Sequence, residues 1–286
     1  MIEMLSSPLM QRALIVAVLV GVSAPVVGTF LVSRSMALMG DGIGHIALTG
    51  VALGWLAGTI MDISPHDSLA LPGAIVMSVV GSLLIELIRA RGRTGADVAL
   101  AILFYGGIAG GVLLISAAGG TTTNLTSYLF GSLATVSRSD LIYTLVLAVL
   151  ILGTAFFLAG PLFALAHDEE YAKAAGLPVR ALNLYIAIIS ALTVSISMRV
   201  VGVLLVSAIM IVPVAIAQLV SHSFTRTMRL AMIISILACV TGLIITYNVA
   251  LSPGATIVVI LIALYALTSL GVLVRLKLFR PEKERQ

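Results

Sequence analysis

Residues 13–33 run from just after Arg12 to just before Arg34 without one charged side chain. An apolar stretch of that length matches the ~20 residues an α-helix needs to cross a hydrocarbon core. The chain repeats the feature at 35–60, 69–88, 96–117, 139–160, 181–198, 200–220, 230–248 and 254–274. Backbone N–H and C=O groups find no water in lipid, so only helices or a closed barrel can cross it. The stretches are continuous and do not alternate, which favours helices. The expected fold is therefore all-α, a polytopic transmembrane bundle of eight to nine spans, built as a single domain over 1–286. Composition agrees: the chain is 60% hydrophobic and 10% charged, with a mean hydropathy of +1.19, and a soluble domain needs more polar surface. The one cysteine, Cys239, excludes a disulfide framework. Residues 1–10 carry Glu3 and no basic region, so no cleavable signal is expected there. Two places are irregular. Segment 120–137 mixes polar and apolar residues and reads as re-entrant, and the spans 181–198 and 200–220 meet in a tight outer turn at Arg199.

Basic residues orient the bundle. With a cytoplasmic C-terminus and strict alternation, Arg34, Arg89, Arg91, Arg93, Lys173, Arg180, Arg226, Arg229, Arg275, Lys277, Arg280, Lys283 and Arg285 face the cytoplasm; Arg12, Arg138 and Arg199 do not. The positive-inside rule selects this topology and predicts a multi-pass bacterial inner-membrane protein. The net charge of +4 reports that orientation. No basic patch is interleaved with aromatics, so no nucleic-acid partner is expected.

Most acids lie in loops or at helix ends. Thr94 with Asp97 reads as a capping box, Asp140 stands at a span entrance, and Glu86 pairs with Arg89 one turn on. Asp41 is the exception. It lies inside the second span, and His45, four residues later, is the one histidine in a span. Positions i and i+4 share a helical face, so a carboxylate and an imidazole converge. Intramembrane ionisable groups are costly and mark ion pathways by default, and this donor pair suits a borderline divalent ion such as zinc or manganese. An Asp–His hydrogen bond pinning two helices is the competing reading. Gly40, Gly42 and Gly44 weaken the helix around the pair, so a loosened turn offering carbonyl oxygens is also expected.

With these residues in place, the chain resembles the permease subunit of the zinc/manganese/iron ABC importer family. The matching blocks are Ala24-Pro25-Val26-Val27-Gly28, then Arg34, Gly40-Asp41 with His45 through Ala52, Ser127 through Leu133, Asp168 through Ala172 with Gly176, Met198 through Ser207, and Ile211 through Ala217. Thr49 stands where the family often has proline. The resemblance implies a homodimeric permease working with a separate cytoplasmic ATPase and an extracytoplasmic metal-binding protein, and it carries a metal-pathway role onto Asp41 and His45.

Within the connection 161–180, residues 168–178 read as a short amphipathic helix. Its acids crowd the first turn, Glu169 and Lys173 pair at i,i+4, and Gly176 then Pro178 end it. By resemblance this is the ATPase coupling segment, with Glu169, Ala172, Gly176 and Pro178 as its residues. The chain has no phosphate-binding loop, so ATP hydrolysis belongs to another polypeptide and this one is not an enzyme. The outer residues Asp62, His66, Asp67 and Arg199 are candidates for docking the binding protein. The transported cation is expected to be zinc, with manganese or ferrous iron as alternatives, and no permanently bound cofactor is expected. A gradient-driven carrier or channel competes with this reading and would show an inverted repeat, which the sequence does not display. An intramembrane enzyme lacks its nucleophile and its ordered aspartates.

Overall fold

The computed structural model describes residues 7–64, 66–91, 96–119, 122–132, 136–249 and 251–278. They form helices α1 (Pro8–Ser33), α2 (Leu38–Ile60), a 3-10 turn (His66–Leu69), α3 (Ala70–Arg91), α4 (Ala96–Ala117) and α5 (Thr122–Phe130). There follow α6 (Arg138–Phe157), α7 (Ala159–His167), α8 (Glu169–Ala174), α9 (Val179–Val201), α10 (Val206–Val220), α11 (Phe224–Asn248) and α12 (Pro253–Leu278). No strand occurs among the described residues. Among the described residues, eight helices are long and apolar enough to cross a membrane: α1, α2, α3, α4, α6, α9, α11 and α12. The chain is a multi-span membrane protein.

Local chemistry fixes the ends of these elements. After α1, the N–H of Ser35 bonds Val32 and that of Met36 bonds Leu31, a double cap that needs the left-handed φ of 54° found at Ser35. Asp62 plays the same part after α2, at φ 52°, with Ile63 bonded back to Gly58. Ser137 and Asp140 form a reciprocal capping box that opens α6. The box expected at Thr94 and Asp97 lies outside the described residues and side chains. Helix α6 stops at Phe157 because Pro161 cannot donate to that residue's carbonyl and its ring crowds it; the chain turns at Leu158 and restarts as α7. The connection thus holds two helices where one was expected.

Apolar contact has no special drive in lipid, so helices associate where small residues let backbones close up. Helix α2 packs between α3 and α4 on such contacts. Gly50 faces Gly73 so closely that a Cβ on either would meet the other's carbonyl oxygen, and a Cβ at Gly107 would lie 2.6 Å from the carbonyl carbon and oxygen of His45. The Thr49 hydroxyl donates to the Gly107 carbonyl at 2.8 Å, so the residue in the family's proline position holds α2 to α4.

Two expectations need correction. Arg199 is not in a turn: α9 continues to Val201 and ends at Gly202, whose φ of 89° stops the helix. The stretch 200–220 is not one span either. Residues 202–205 are unwound and α10 begins at Val206. Unwound backbone inside a membrane protein needs internal partners, and α5 supplies them. Val203 N–H bonds Tyr128 O at 2.9 Å and Leu204 N–H bonds Leu129 O at 3.2 Å. The Ser252 hydroxyl donates to Phe130 O at 2.9 Å. Helix α5, too short to span, therefore covers the break with its carbonyl end, which is what the polar-apolar character of 120–137 serves.

Candidate metal-pathway site

Asp41 lies in the first turn of α2, nearer the helix start than its place in the apolar stretch suggests. The positive end of the helix dipole favours a carboxylate there. Its Oδ1 accepts a hydrogen bond from the Ser207 hydroxyl of α10 at 3.1 Å. His45, one turn on, is 2% exposed and holds its Nε2 3.9 Å from the same Oδ1. That separation is too long for a hydrogen bond, so the two groups are not locked together.

The imidazole packs edge-on against Phe104 of α4, with ring centroids 4.0 Å apart. Its Nδ1 is buried without a hydrogen-bond partner. A cavity of about 240 Å³ opens beside the pair, lined by Asp41, Gly42, Leu38, Leu100, Phe104 and Tyr105. Asp41 borders this cavity directly, whereas the His45 ring sits behind Phe104. The expected loosened turn is absent: Gly40, Gly42 and Gly44 lie within continuous α2. They serve close packing instead, since a Cβ at Gly44 would come 3.2 Å from the Val203 carbonyl oxygen and one at Gly40 would touch Met210 and Ser207. The unwound backbone beside Asp41 and His45 belongs to the facing segment 202–205.

No group of three or more His, Cys, Asp or Glu placed to hold a metal ion together occurs among the described residues. One chain therefore offers a divalent ion two strong donors, a carboxylate oxygen and a ring nitrogen, with a hydroxyl oxygen beside them. Sequence reasoning missed Ser207 and Phe104. Ser207 is the last residue of the matched block that begins at Met198, and no spacing relates it to Asp41.

At one end of the bundle lies a second polar region. The Arg34 guanidinium, 5% exposed, bonds Glu169 Oε2 at 2.7 Å and also donates to Asn183 Oδ1. Burial lowers its pKa, Arg89 adds to that, and Glu169 opposes it. Glu169 is also 3.3 Å from Lys173, which reaches Glu170 at 2.8 Å; these bonds raise the exposed Lys173 pKa. Asp168 caps α8 by accepting from Tyr171 N–H. Gly176, at φ 77°, closes it, with Leu177 bonded back to Ala172. Ala172 is fully buried, while Glu170, Tyr171, Lys173, Ala174, Ala175, Gly176 and Pro178 are exposed. Glu86 reaches Arg89 only at 3.9 Å.

Asp62 takes the cap position described above. The side chains of His66, Asp67 and Arg199 lie outside the described residues.

The structure is thus a multi-span helical membrane bundle in which a carboxylate and an imidazole are held apart beside an unwound segment. The comparisons agree and go further: the chain matches the ABC 3 transport family over residues 6–271, and it belongs to that family. It is 32% identical over 265 residues to the manganese transport system membrane protein MntC of Halalkalibacterium halodurans, covering 93% of this chain and 88% of that one. It is 31% identical over 258 residues to the chelated iron transport system membrane protein YfeD of Yersinia pestis, covering 90% and 84%. Among solved structures, PsaBC from Streptococcus pneumoniae in complex with Fab matches with a TM-score of 0.82 at 30% identity, covering 93% of each chain.

Proposed function

We propose that this chain is the membrane-spanning subunit of an ATP-driven importer of a divalent transition metal, and that the ion passes between Asp41 and His45. The observation that carries the reading is the 3.9 Å gap between Oδ1 and Nε2 beside an open cavity. Metal–oxygen and metal–nitrogen bonds of about 2.0–2.2 Å bridge such a gap with little movement. Two donors from one chain hold an ion weakly, as passage requires. A second copy about a symmetry axis would bring two further donors, and α4, which lines the cavity and exposes Ile102 and Tyr105, is the face we assign to that homodimer.

Zinc is the cargo expected from the donor types. Manganese or ferrous iron has a specific observation in its favour: the Ser207 oxygen beside Asp41 makes the site richer in oxygen, which suits harder ions. The relatives named for manganese and for chelated iron transport point the same way.

The basic end carrying Arg34, Arg89 and Lys173 is the cytoplasmic one in this reading; α10, though short, returns the chain to that end, where Val214 and Ala217 pack with Val32, and so the C-terminus lies on the same side. The exposed strip Glu170–Gly176 with Pro178 meets a separate ATPase, and the inward-turned Glu169 and Ala172 position that strip. The opposite end, with Asp62, His66, Asp67 and Arg199, receives the extracytoplasmic binding protein. The test is uptake of Mn²⁺, Fe²⁺ and Zn²⁺ by cells expressing the whole system. Asp41→Asn and His45→Ala are expected to cut uptake about tenfold or more at equal membrane levels, and the ion that competes best names the cargo. Unchanged uptake in both variants removes the assignment.

A further inference from the structure

We propose that Arg34 is the positioning residue that ties α8 to the metal-bearing helix, and that it works by trading carboxylate partners, from Glu169 to Glu86. The inference rests on the permease reading above.

Arg34 ends α1, and the tight turn that follows leads directly into α2 and Asp41. Its guanidinium is held by Glu169 of α8 and Asn183 of α9. A shift of α8 therefore pulls on the turn that sets the start of α2. Helix α8 is six residues long and presents the exposed strip assigned to the ATPase, so of the elements around Arg34 it is the one a partner can move. Once Glu169 moves away, a buried guanidinium without a carboxylate is strongly unfavourable. A replacement is at hand. Glu86 on α3 is 8% exposed, its Oε2 accepts no hydrogen bond, and it lines one cavity with Glu169 and Asn183, the present partners of Arg34. A buried carboxylate oxygen that accepts no hydrogen bond, with Arg89 no nearer than 3.9 Å, calls for an explanation, and a second arrangement of Arg34 supplies one.

Space for the exchange exists. A cavity of about 770 Å³ lies among Glu86, Arg89, Glu169, Lys173 and Asn183. Arg89 braces the same turn from the other side, with its Nη1 3.0 Å from Met36 Sδ. Two discrete ion pairs on either side of one turn make the bistable element that coupling between distant sites requires. When Arg34 holds Glu169, α8 and the α1–α2 turn move as one. When it holds Glu86, the turn is fixed to α3 and α8 is free.

The test uses the whole transporter, permease with its ATPase and binding protein, in proteoliposomes with Mn²⁺ as probe. Ions moved per ATP hydrolysed are compared for wild type and Glu86→Gln, with thermal unfolding of each permease in detergent. Glu86→Gln removes a buried charge held only by a 3.9 Å ion pair at Oε2, so its melting temperature stays at or above wild type while the ratio falls about fivefold or more. The double reversal Arg34→Glu with Glu169→Arg restores that pair but sets a carboxylate against Glu86; it regains stability without regaining coupling. A Glu86→Gln ratio equal to wild type, a Glu86→Gln permease that no longer folds, or a double reversal that restores the ratio each overturns the exchange. A wild-type complex that hydrolyses ATP without moving Mn²⁺ counts against the cargo reading alone. The variants are then scored on ATP hydrolysis, where the same fall supports the exchange and no change overturns it.

Discussion

Two pairs in this molecule share one spacing and end differently. Asp41 and His45 are i,i+4 on α2, as are Glu169 and Lys173 on α8. The first pair stays open at 3.9 Å, with one partner 2% exposed. The second closes to 3.3 Å, with one partner half exposed, and is backed by Arg34 at 2.7 Å. Helical spacing brings two groups to one face and goes no further. What surrounds them decides whether they satisfy each other or wait for a third party. Around Asp41 the neighbours are a hydroxyl, an aromatic ring and glycine-lined backbone, and no Lys or Arg among the described residues forms an ion pair with it. Around Glu169 there are two.

The sharpest way to break this comparison is to disturb the packing that keeps the first pair apart. Gly107→Val places a branched side chain where even a Cβ would sit 2.6 Å from His45 backbone atoms. Backbone cannot rotate away, so α4 must separate from α2. We expect a loss of about 3 kcal/mol in thermal or denaturant unfolding, together with loss of metal uptake. A variant as stable as wild type would show that α4 does not hold the site.

Next in size is Ser207→Ala. It removes the hydroxyl that donates to Asp41 and leaves the fold's backbone bonds intact. Metal uptake is expected to fall about tenfold, as for an outer-sphere partner of a metal ligand, with little change in stability. Uptake at wild-type level would show that Asp41 is oriented by α2 alone.

These two residues also mark what the sequence could and could not disclose. The spans were legible because apolar run length is a direct consequence of bilayer thickness. The end of α8 at Gly176 was legible because its signals are local. Asp41 and His45 were legible as a candidate pair because a carboxylate is expensive in lipid. The break at 202–205 was not. Its apolar residues read as part of a continuous span, and the partners that satisfy the unwound backbone, the carbonyls of Tyr128 and Leu129, lie some seventy positions away in sequence. Ser207 was hidden for the same reason. The glycines at 40, 42 and 44 were noticed and read as weakness; contact with α10, the facing break and Leu100 turns them into close-packed positions.

Gly176→Ala probes the closed region in the way Gly107→Val probes the open one, and the contrast is instructive. A Cβ at Gly176 meets nothing within 4 Å, but the residue sits at φ +77°. The cost is conformational alone, about 1 kcal/mol. It should appear as faster amide exchange over residues 169–178, with the membrane helices unaffected. Equal exchange in both proteins would mean that the cap at Ala172 and Lys173 does not hold α8.

The smallest effect is expected from Lys173→Ala, and it separates the two roles of Glu169. Lys173 touches both Glu169 and Glu170, yet its side chain is half exposed. The same bonds raise its pKa, so it stays protonated at neutral pH, and their stabilisation would be lost only as pH rises through the raised value. Exposed pairs are screened by water and salt and contribute little. Removing Lys173 should therefore leave thermal unfolding unchanged within error, because Arg34 still holds Glu169 from the buried side. If Lys173→Ala proved as harmful as Arg34→Ala, the exposed cation would be the one that fixes α8, and the buried guanidinium would lose its place in the comparison.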